Sequence, residues 1–412
     1  MKTRRYLFPA VAAGLAGLIT TAPTASASVA APGFYPLGVV DSAHTYSFGT
    51  ALSSDGRVVG GESGISSFSP QNSGAATWSG TNWSVKTPYP SASTFEPYGI
   101  LQGLNDSGDV GAGIVAQQTG ASTKINVPAR WTSAGGLVAL SSFSGQGHAV
   151  SATGAVVVGQ MSGSSANSVD AFRWTQAGGM QLLPTVNGTV AAGNINVAYA
   201  VSADGNVIAG RSRNATNAVG FAWTPTLGSV ELAQLPSATG TAARSIGWGI
   251  SGDGAIIVGE ARDSNGARNA VRWSFNATTG ASTVTSLGDL PGGAGAALPN
   301  GAARSVSDDG SVIVGDSESG NGTEAFLWRS GIGMVSLRDF LINEMGYSSL
   351  VNWTLSSANE VSADGTVITG WGTTGGVTQA YVVVIPEPSI VGIGGVVVVA
   401  GLLRRRQRRR MA

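Results

Sequence analysis

The chain has two histidines, His44 and His148, and no cysteine. Neither histidine has a second ligand at a metal-binding spacing, and both read as turn or surface residues. There is no nucleophile elbow with a supporting acid and base, no phosphate-cradling glycine loop and no zinc pattern. The sequence therefore names no catalytic residue, no cofactor and no metal site, and it reads as a non-enzyme. Carboxylates are the remaining source of chemistry. Asp55, Asp204, Asp253, Asp309 and Asp364 recur, but each precedes a glycine between two apolar runs. That is turn chemistry: glycine accepts positive φ, and aspartate bonds its own backbone. Two acidic stretches, Asp263-Ser264-Asn265-Gly266 and Asp316 to Glu324, offer oxygens for calcium. Neither has acids at alternate positions ending in glutamate at the twelfth, and both read as flexible surface loops.

Aromatic side chains divide into two sets. Trp78, Trp131, Trp174, Trp223, Trp273 and Trp328 recur in register, with Tyr381 at the seventh place, and read as core. Trp83, Tyr89, Phe95, Tyr98, Trp248, Trp353 and Trp371 fall outside that register. These are the better candidates for stacking on sugar rings, because a flat aromatic face suits a flat apolar sugar face.

The elements that carry these residues repeat. A hairpin of the Ser-Xaa-Asp-Gly type followed by a Val-rich run occurs seven times, with turn glycines at Gly56, Gly108, Gly154, Gly205, Gly254, Gly310 and Gly365. Five copies keep the motif, and two vary it as Asn105-Asp106-Ser107-Gly108 and Ser151-Ala152-Thr153-Gly154. Repeats of about 50 residues suit four-stranded propeller blades. In the clearest copy the strands are expected at Ala243–Ser251, Ala255–Glu260, Asn269–Trp273 and Ser282–Leu287, with 261–268 as a loop. One strand's worth of sequence, Phe34–Val40, precedes the first copy, and Ala380–Ile385 supplies a third strand with no fourth behind it. One plus three makes a blade. The expectation is an all-β, seven-bladed β-propeller over 28–385, closed by its N-terminal strand so that no sheet edge stays open. An open β-solenoid is the alternative.

Both ends read as addresses. Residues 1–27 show a basic start, an apolar stretch and a small-residue site ending in Ala25-Ser26-Ala27, the pattern of a secretory signal peptide cleaved after Ala27. Arg4-Arg5 also leaves a twin-arginine route open. Residues 386–412 begin with Pro386-Glu387-Pro388, continue through an apolar run at 390–403 and end in an arginine block that includes Arg404, Arg405 and Arg406. Such a tail would form a membrane or sorting helix with its cations held cytoplasmic; an ordinary tail anchor is the plainer reading. Of the 23 basic residues nine lie in these ends, against one of the 23 acids, so the body carries 14 basic and 22 acidic side chains. A net charge near −8 gives no footprint for nucleic acid. Without cysteine, packing alone must stabilise the body.

Two resemblances follow from these motifs. The tail resembles a PEP-CTERM sorting signal, which implies an exosortase-type processing enzyme as partner. It also implies residence at the cell surface, outer membrane or extracellular matrix of a Gram-negative-type bacterium after transient inner-membrane anchoring. The body resembles the exported HAF-repeat family: Ala171-Phe172-Arg173-Trp174 and Ala325-Phe326-Leu327-Trp328 match its repeat strand, with Asp170 and Glu324 where the family has histidine. Ser286 to Gly293 matches its linker. The implied role is a non-catalytic surface or matrix module whose ligand is an exopolysaccharide or another surface protein. A glycan hydrolase or lyase, with two carboxylates roughly 5 to 9.5 Å apart, and a purely structural protein are the alternatives.

Overall fold

A computed structural model describes residues 31–39, 42, 44–64, 74–79, 82–85, 99–119, 124–163, 168–186, 188, 195–213, 217–236, 244–292 and 300–386. Among these, the strands form seven antiparallel sheets of four in a propeller-like arrangement. The first strands of sheets 1 to 7 are Tyr46–Leu52, Gly99–Leu104, Gly145–Val150, Val197–Val201, Ser245–Ile250, Gly301–Val306 and Trp353–Val361. Each sheet follows chain order outward, except that the outermost strand of sheet 7 is Gly33–Gly38 from the other end of the body. It pairs antiparallel with Val377–Val384, placing Gly33 opposite Val384.

The repeat motif explains the shared geometry. In sheet 4, Ser202 Oγ accepts from Val207 N at 2.9 Å and donates to Asp204 Oδ1 at 2.6 Å, while Asp204 accepts from Asn206 N at 2.9 Å. Gly205 stands at φ +76°, where a Cβ would be strained. Sheet 2 replaces the serine by Asn105, whose Oδ1 accepts from Val110 N at 2.9 Å.

Neighbouring turns are joined to one another. Asp55 N donates to Asp106 O (3.3 Å), Asp106 N to Ala152 O (3.2 Å), Ala152 N to Ala203 O (3.1 Å) and Ala203 N to Gly252 O (2.9 Å). Gly252 N donates to Asp308 Oδ1 at 3.1 Å. Asp308 N then donates to Ala363 O (2.9 Å) and Ala363 N to Ser54 O (3.0 Å). The circuit is closed, and every bond runs in the same sense.

Apolar packing is likewise distributed around a ring. Each junction between neighbouring sheets holds its own cluster, for example Ile208, Phe221 and Leu183 between sheets 3 and 4, and Leu52, Val59, Val367 and Val382 between sheets 7 and 1. Phe172, Phe221 and Phe326 are fully buried at one register, each opposite a glycine of the second strand. Burying such a ring contributes about 2–3 kcal/mol.

Several expectations need correction. Tyr381 pairs with Gly370 and so occupies the phenylalanine register, while Val383, opposite Ile368, stands at the tryptophan register. Trp131 and Trp273 are buried, but Trp174, Trp223 and Trp328 are only half-buried; the Trp78 side chain lies outside the described ones. Residues Asp316 to Glu324 do not form a flexible loop: they belong to the strands Val312–Ser319 and Gly322–Arg329, with Gly320-Asn321 as the tight turn between them. Asp316 and Glu324 are buried there, and an arginine neutralises Asp316. In sheet 5 the second and third strands run further than expected, to Arg262 and from Arg268. A short α-helix, Leu337–Asn343, capped by Ser336 and burying Leu337 and Leu341, fills the junction of sheets 6 and 7. The signal residues Ala25 and Ala27 and the tail from Glu387 onward, with Pro388, Arg404, Arg405 and Arg406, lie outside the described residues; Pro386 is the last one described. Among the described residues no helix is long and apolar enough to cross a membrane.

Candidate functional site

Each first strand carries a β-bulge at the same place, and the first strand of sheet 7 has a second one at Ser356. The register slips at Thr50, Gln102, His148, Tyr199, Trp248 and Arg304 in sheets 1 to 6, and at Asn359 in sheet 7. All seven stand six residues before the turn glycine of their repeat. A bulge leaves one residue out of the ladder and re-aims its side chain. Here all seven bulged residues line a single central cavity of about 470 Å³, and all are half-buried.

A second glycine permits the bulge. Gly61, Gly113, Gly159, Gly210, Gly259, Gly315 and Gly370 stand five residues after the turn glycines. A Cβ on any of them would collide with a first-strand carbonyl two residues before the bulge, such as that of Gln146 for Gly159 and Ile246 for Gly259. Only glycine lets the two strands approach this closely.

The bulged side chains form a graded wall. His148 packs on Tyr199 with ring centroids 5.0 Å apart, and Tyr199 packs on Trp248 at 4.2 Å. The Arg304 guanidinium lies over the Trp248 ring at 5.1 Å, within the range of cation–π attraction. Trp248 is fixed at its edge as well: its Nε1 donates to Glu260 Oε2 at 3.2 Å. Glu260 pairs with Arg268 at 3.2 Å, Arg268 approaches Asp316 at 3.9 Å, and Asp316 accepts from Arg304 Nε at 2.7 Å. The indole is thus enclosed by a continuous circuit of charged groups.

Across the channel the bulged residues bond to neighbouring sheets. Thr50 Oγ1 donates to Leu101 O at 2.5 Å, Gln102 Nε2 to Gln146 Oε1 at 3.4 Å, and Asn359 Nδ2 to Gly49 O at 2.7 Å. Next to Asn359 stands Glu360, where the other repeats have Ala, Gly or Ser. Burial pushes its carboxyl up to about 7, and Ser305 Oγ donates to it at 2.7 Å. Burial also lowers His148 to about 4, so the imidazole is neutral at physiological pH, and its Nε2 is enclosed without a partner. Asp308, at the same cavity, is raised by burial.

His148 is therefore a channel residue, not a turn or surface one. Of the out-of-register aromatics, Trp248 lines the channel, Trp353 is buried against Phe34 at 5.0 Å, and Trp371 meets Phe48 edge-on at 5.3 Å. Tyr89, Phe95, Tyr98 and the Trp83 side chain lie outside the described ones. The turn aspartates are held by serine hydroxyls and backbone N–H groups, as Asp253 is by Ser251 and Ala255. Asp263 closes its own loop by accepting from Asn265 N and Ala267 N. Among the described residues no three His, Asp or Glu side chains converge as metal ligands.

No protein-family model matches the chain, and no curated protein matches it. Solved structures do. Oligogalacturonate lyase from Vibrio parahaemolyticus superposes with a TM-score of 0.52 at 10% identity, over 86% of this chain and 94% of that one. TolB from Acinetobacter baumannii gives 0.36 at 14% identity, over 58% of this chain and 53% of that one. The chain thus spans about half the length of that TolB. At such identities the likeness to the lyase speaks for the propeller-like fold alone.

Proposed function

We propose that this chain is an exported, non-catalytic module of the cell surface or extracellular matrix. In this reading it is a seven-bladed β-propeller whose channel recognises an exopolysaccharide or another surface protein. The seven bulges carry the proposal. One backbone device is repeated without variation, while its side chain is Thr, Gln, His, Tyr, Trp, Arg or Asn. Where packing decides, opposite the second-strand glycine, the residue changes in size but stays Ala, Val, Phe or Tyr; a wall of seven chemistries, polar and charged ones included, suits a ligand. Aromatic faces beside a guanidinium suit sugars in particular. Delivery is assigned to the N-terminal signal, and sorting to the tail of Pro386, Glu387, Pro388 and Arg404 to Arg406, read by an exosortase-type enzyme as in the HAF-repeat and PEP-CTERM proteins it resembles.

A glycan hydrolase or lyase is the second reading, favoured by Glu360, a channel carboxyl raised to about 7 and so placed to exchange protons at neutral pH. One experiment separates the two. The protein is incubated with exopolysaccharide, and both co-sedimentation and release of reducing or unsaturated ends are followed. Retention without product, lost in Trp248→Ala, is the expected result. Product that disappears in Glu360→Gln makes this an enzyme.

A further inference from the structure

A second, smaller cleft opens between sheets 4 and 5, with a volume of about 220 Å³. Four arginines line it: Arg211 from the second strand of sheet 4, Arg244 just before the first strand of sheet 5, and Arg262 and Arg268, which face each other across the next two strands. The lining also contains one carboxylate, Glu260, already paired with Arg268. Among the described residues no carboxylate forms an ion pair with Arg211, Arg244 or Arg262. The Nε atoms of Arg211 and Arg268 are enclosed without a hydrogen-bond partner. A buried guanidinium N–H left unpaired costs free energy; these enclosed atoms lie out of a ligand's reach, and what the cleft offers an anion is the uncompensated positive charge of the arginines that line it. Four of the 14 basic residues of an otherwise acidic body are gathered here.

We propose that this cleft binds the carboxylate of an acidic sugar, so that the glycan recognised by the protein bears uronate residues. The inference rests on the glycan-binding reading above. Guanidinium forks match carboxylates in a bidentate way that a point charge cannot. The volume is below that of a drug-sized pocket and suits one charged group with part of its ring. The body's net charge near −8 opposes an anionic polymer at long range, so recognition falls to the local positive charge of the cleft. Arg268 and Glu260 also belong to the circuit holding Trp248, so occupancy of the cleft bears on the channel wall.

The test uses the full chain in mild detergent, titrated calorimetrically with glucuronate-bearing oligosaccharides and with the same sugars after carboxyl reduction. The expected result is that the acidic form binds at least about tenfold tighter and weakens as salt rises. The double variant Arg244→Gln/Arg262→Gln, at two exposed positions, should bring the acidic sugar down to the level of the neutral one, with its melting temperature unchanged. Equal binding of both sugars, or a double variant that binds like the parent, overturns the cleft and leaves the glycan reading standing. If neither sugar binds, the glycan reading falls. Inorganic sulfate then decides the cleft: stabilisation by sulfate that the double variant lacks retains an anion site, and no stabilisation removes it.

Discussion

Around the channel one bulge serves two sectors. From His148 through Tyr199 and Trp248 to Arg304 the bulged side chains touch one another through ring faces and a guanidinium. From Asn359 through Thr50 to Gln102 they bond across to the next sheet. The backbone cause is common to both. What differs is where the polar atoms go: in the second sector Thr50 Oγ1, Gln102 Nε2 and Asn359 Nδ2 join neighbouring sheets, whereas in the first Trp248 Nε1 and Arg304 Nε bond carboxylates of their own sheets. One enclosed atom in each sector, Gln102 Oε1 and His148 Nε2, has no partner. Identical backbone geometry therefore does not imply an identical role. One arc reads as a set of staples and the other as a surface.

The bulge itself is the strongest point at which to break the comparison. Gly210→Ala, in the aromatic sector, and Gly61→Ala, in the stapled one, each place a Cβ against a first-strand carbonyl, and each should cost about 3 kcal/mol in urea unfolding. A mild effect in only one sector would mean that the two bulges are not equivalent. Next come the side chains. Asn359→Ala removes a bond to Gly49 O and should cost about 1 kcal/mol of stability while leaving ligand affinity unchanged. Trp248→Ala should do the reverse, lowering affinity by about tenfold, or about 1.4 kcal/mol, with a smaller effect on unfolding. If Asn359→Ala impairs binding and Trp248→Ala does not, the sectors are misassigned.

Protonation sharpens the contrast further. Glu62 and Glu360 are both raised to about 7 by burial, so the folded state holds protons that the unfolded chain has released. Stability should therefore fall as pH climbs from the ordinary glutamate range to about 7, then level off. Glu360→Gln should remove its share of that slope in thermal melts across pH. His148 has the opposite sign: lowered to about 4, it should cost stability as pH falls from the ordinary histidine range toward 4. The smallest effect is spectroscopic. The His148 ring resonances should show no titration between about pH 5 and 8, and a midpoint inside that window would place the ring in water.

The turns were legible because their causes are local: a serine, an aspartate and a glycine within four residues fix one hairpin, and five such copies with two variants of it fix the repeat. The channel was hidden by the same regularity. Strict alternation along a first strand assigns faces by period two, and a bulge breaks that period without leaving a residue type as its mark. The usable signal is a column six residues before the turn glycine that never repeats, followed by Ala, Gly or Ser in six copies and by Glu360 in the seventh. Asp316 was misread because its partner Arg304 lies across a hairpin, so a polar stretch looked like a loop. Trp353 was misread because the ring it packs on, Phe34, comes from the far end of the body.

The pairing of Gly33 with Val384 has a mechanical consequence. Whatever precedes the ring and whatever follows it leave from one spot on the outer rim. That spot lies beside the Gly365 turn, so a tether there would turn the face that carries the Asp-Gly turns toward the anchor and leave the opposite mouth of the channel free. Joining the two ends there and opening the chain at another outer loop would yield a permuted protein with every sheet retained.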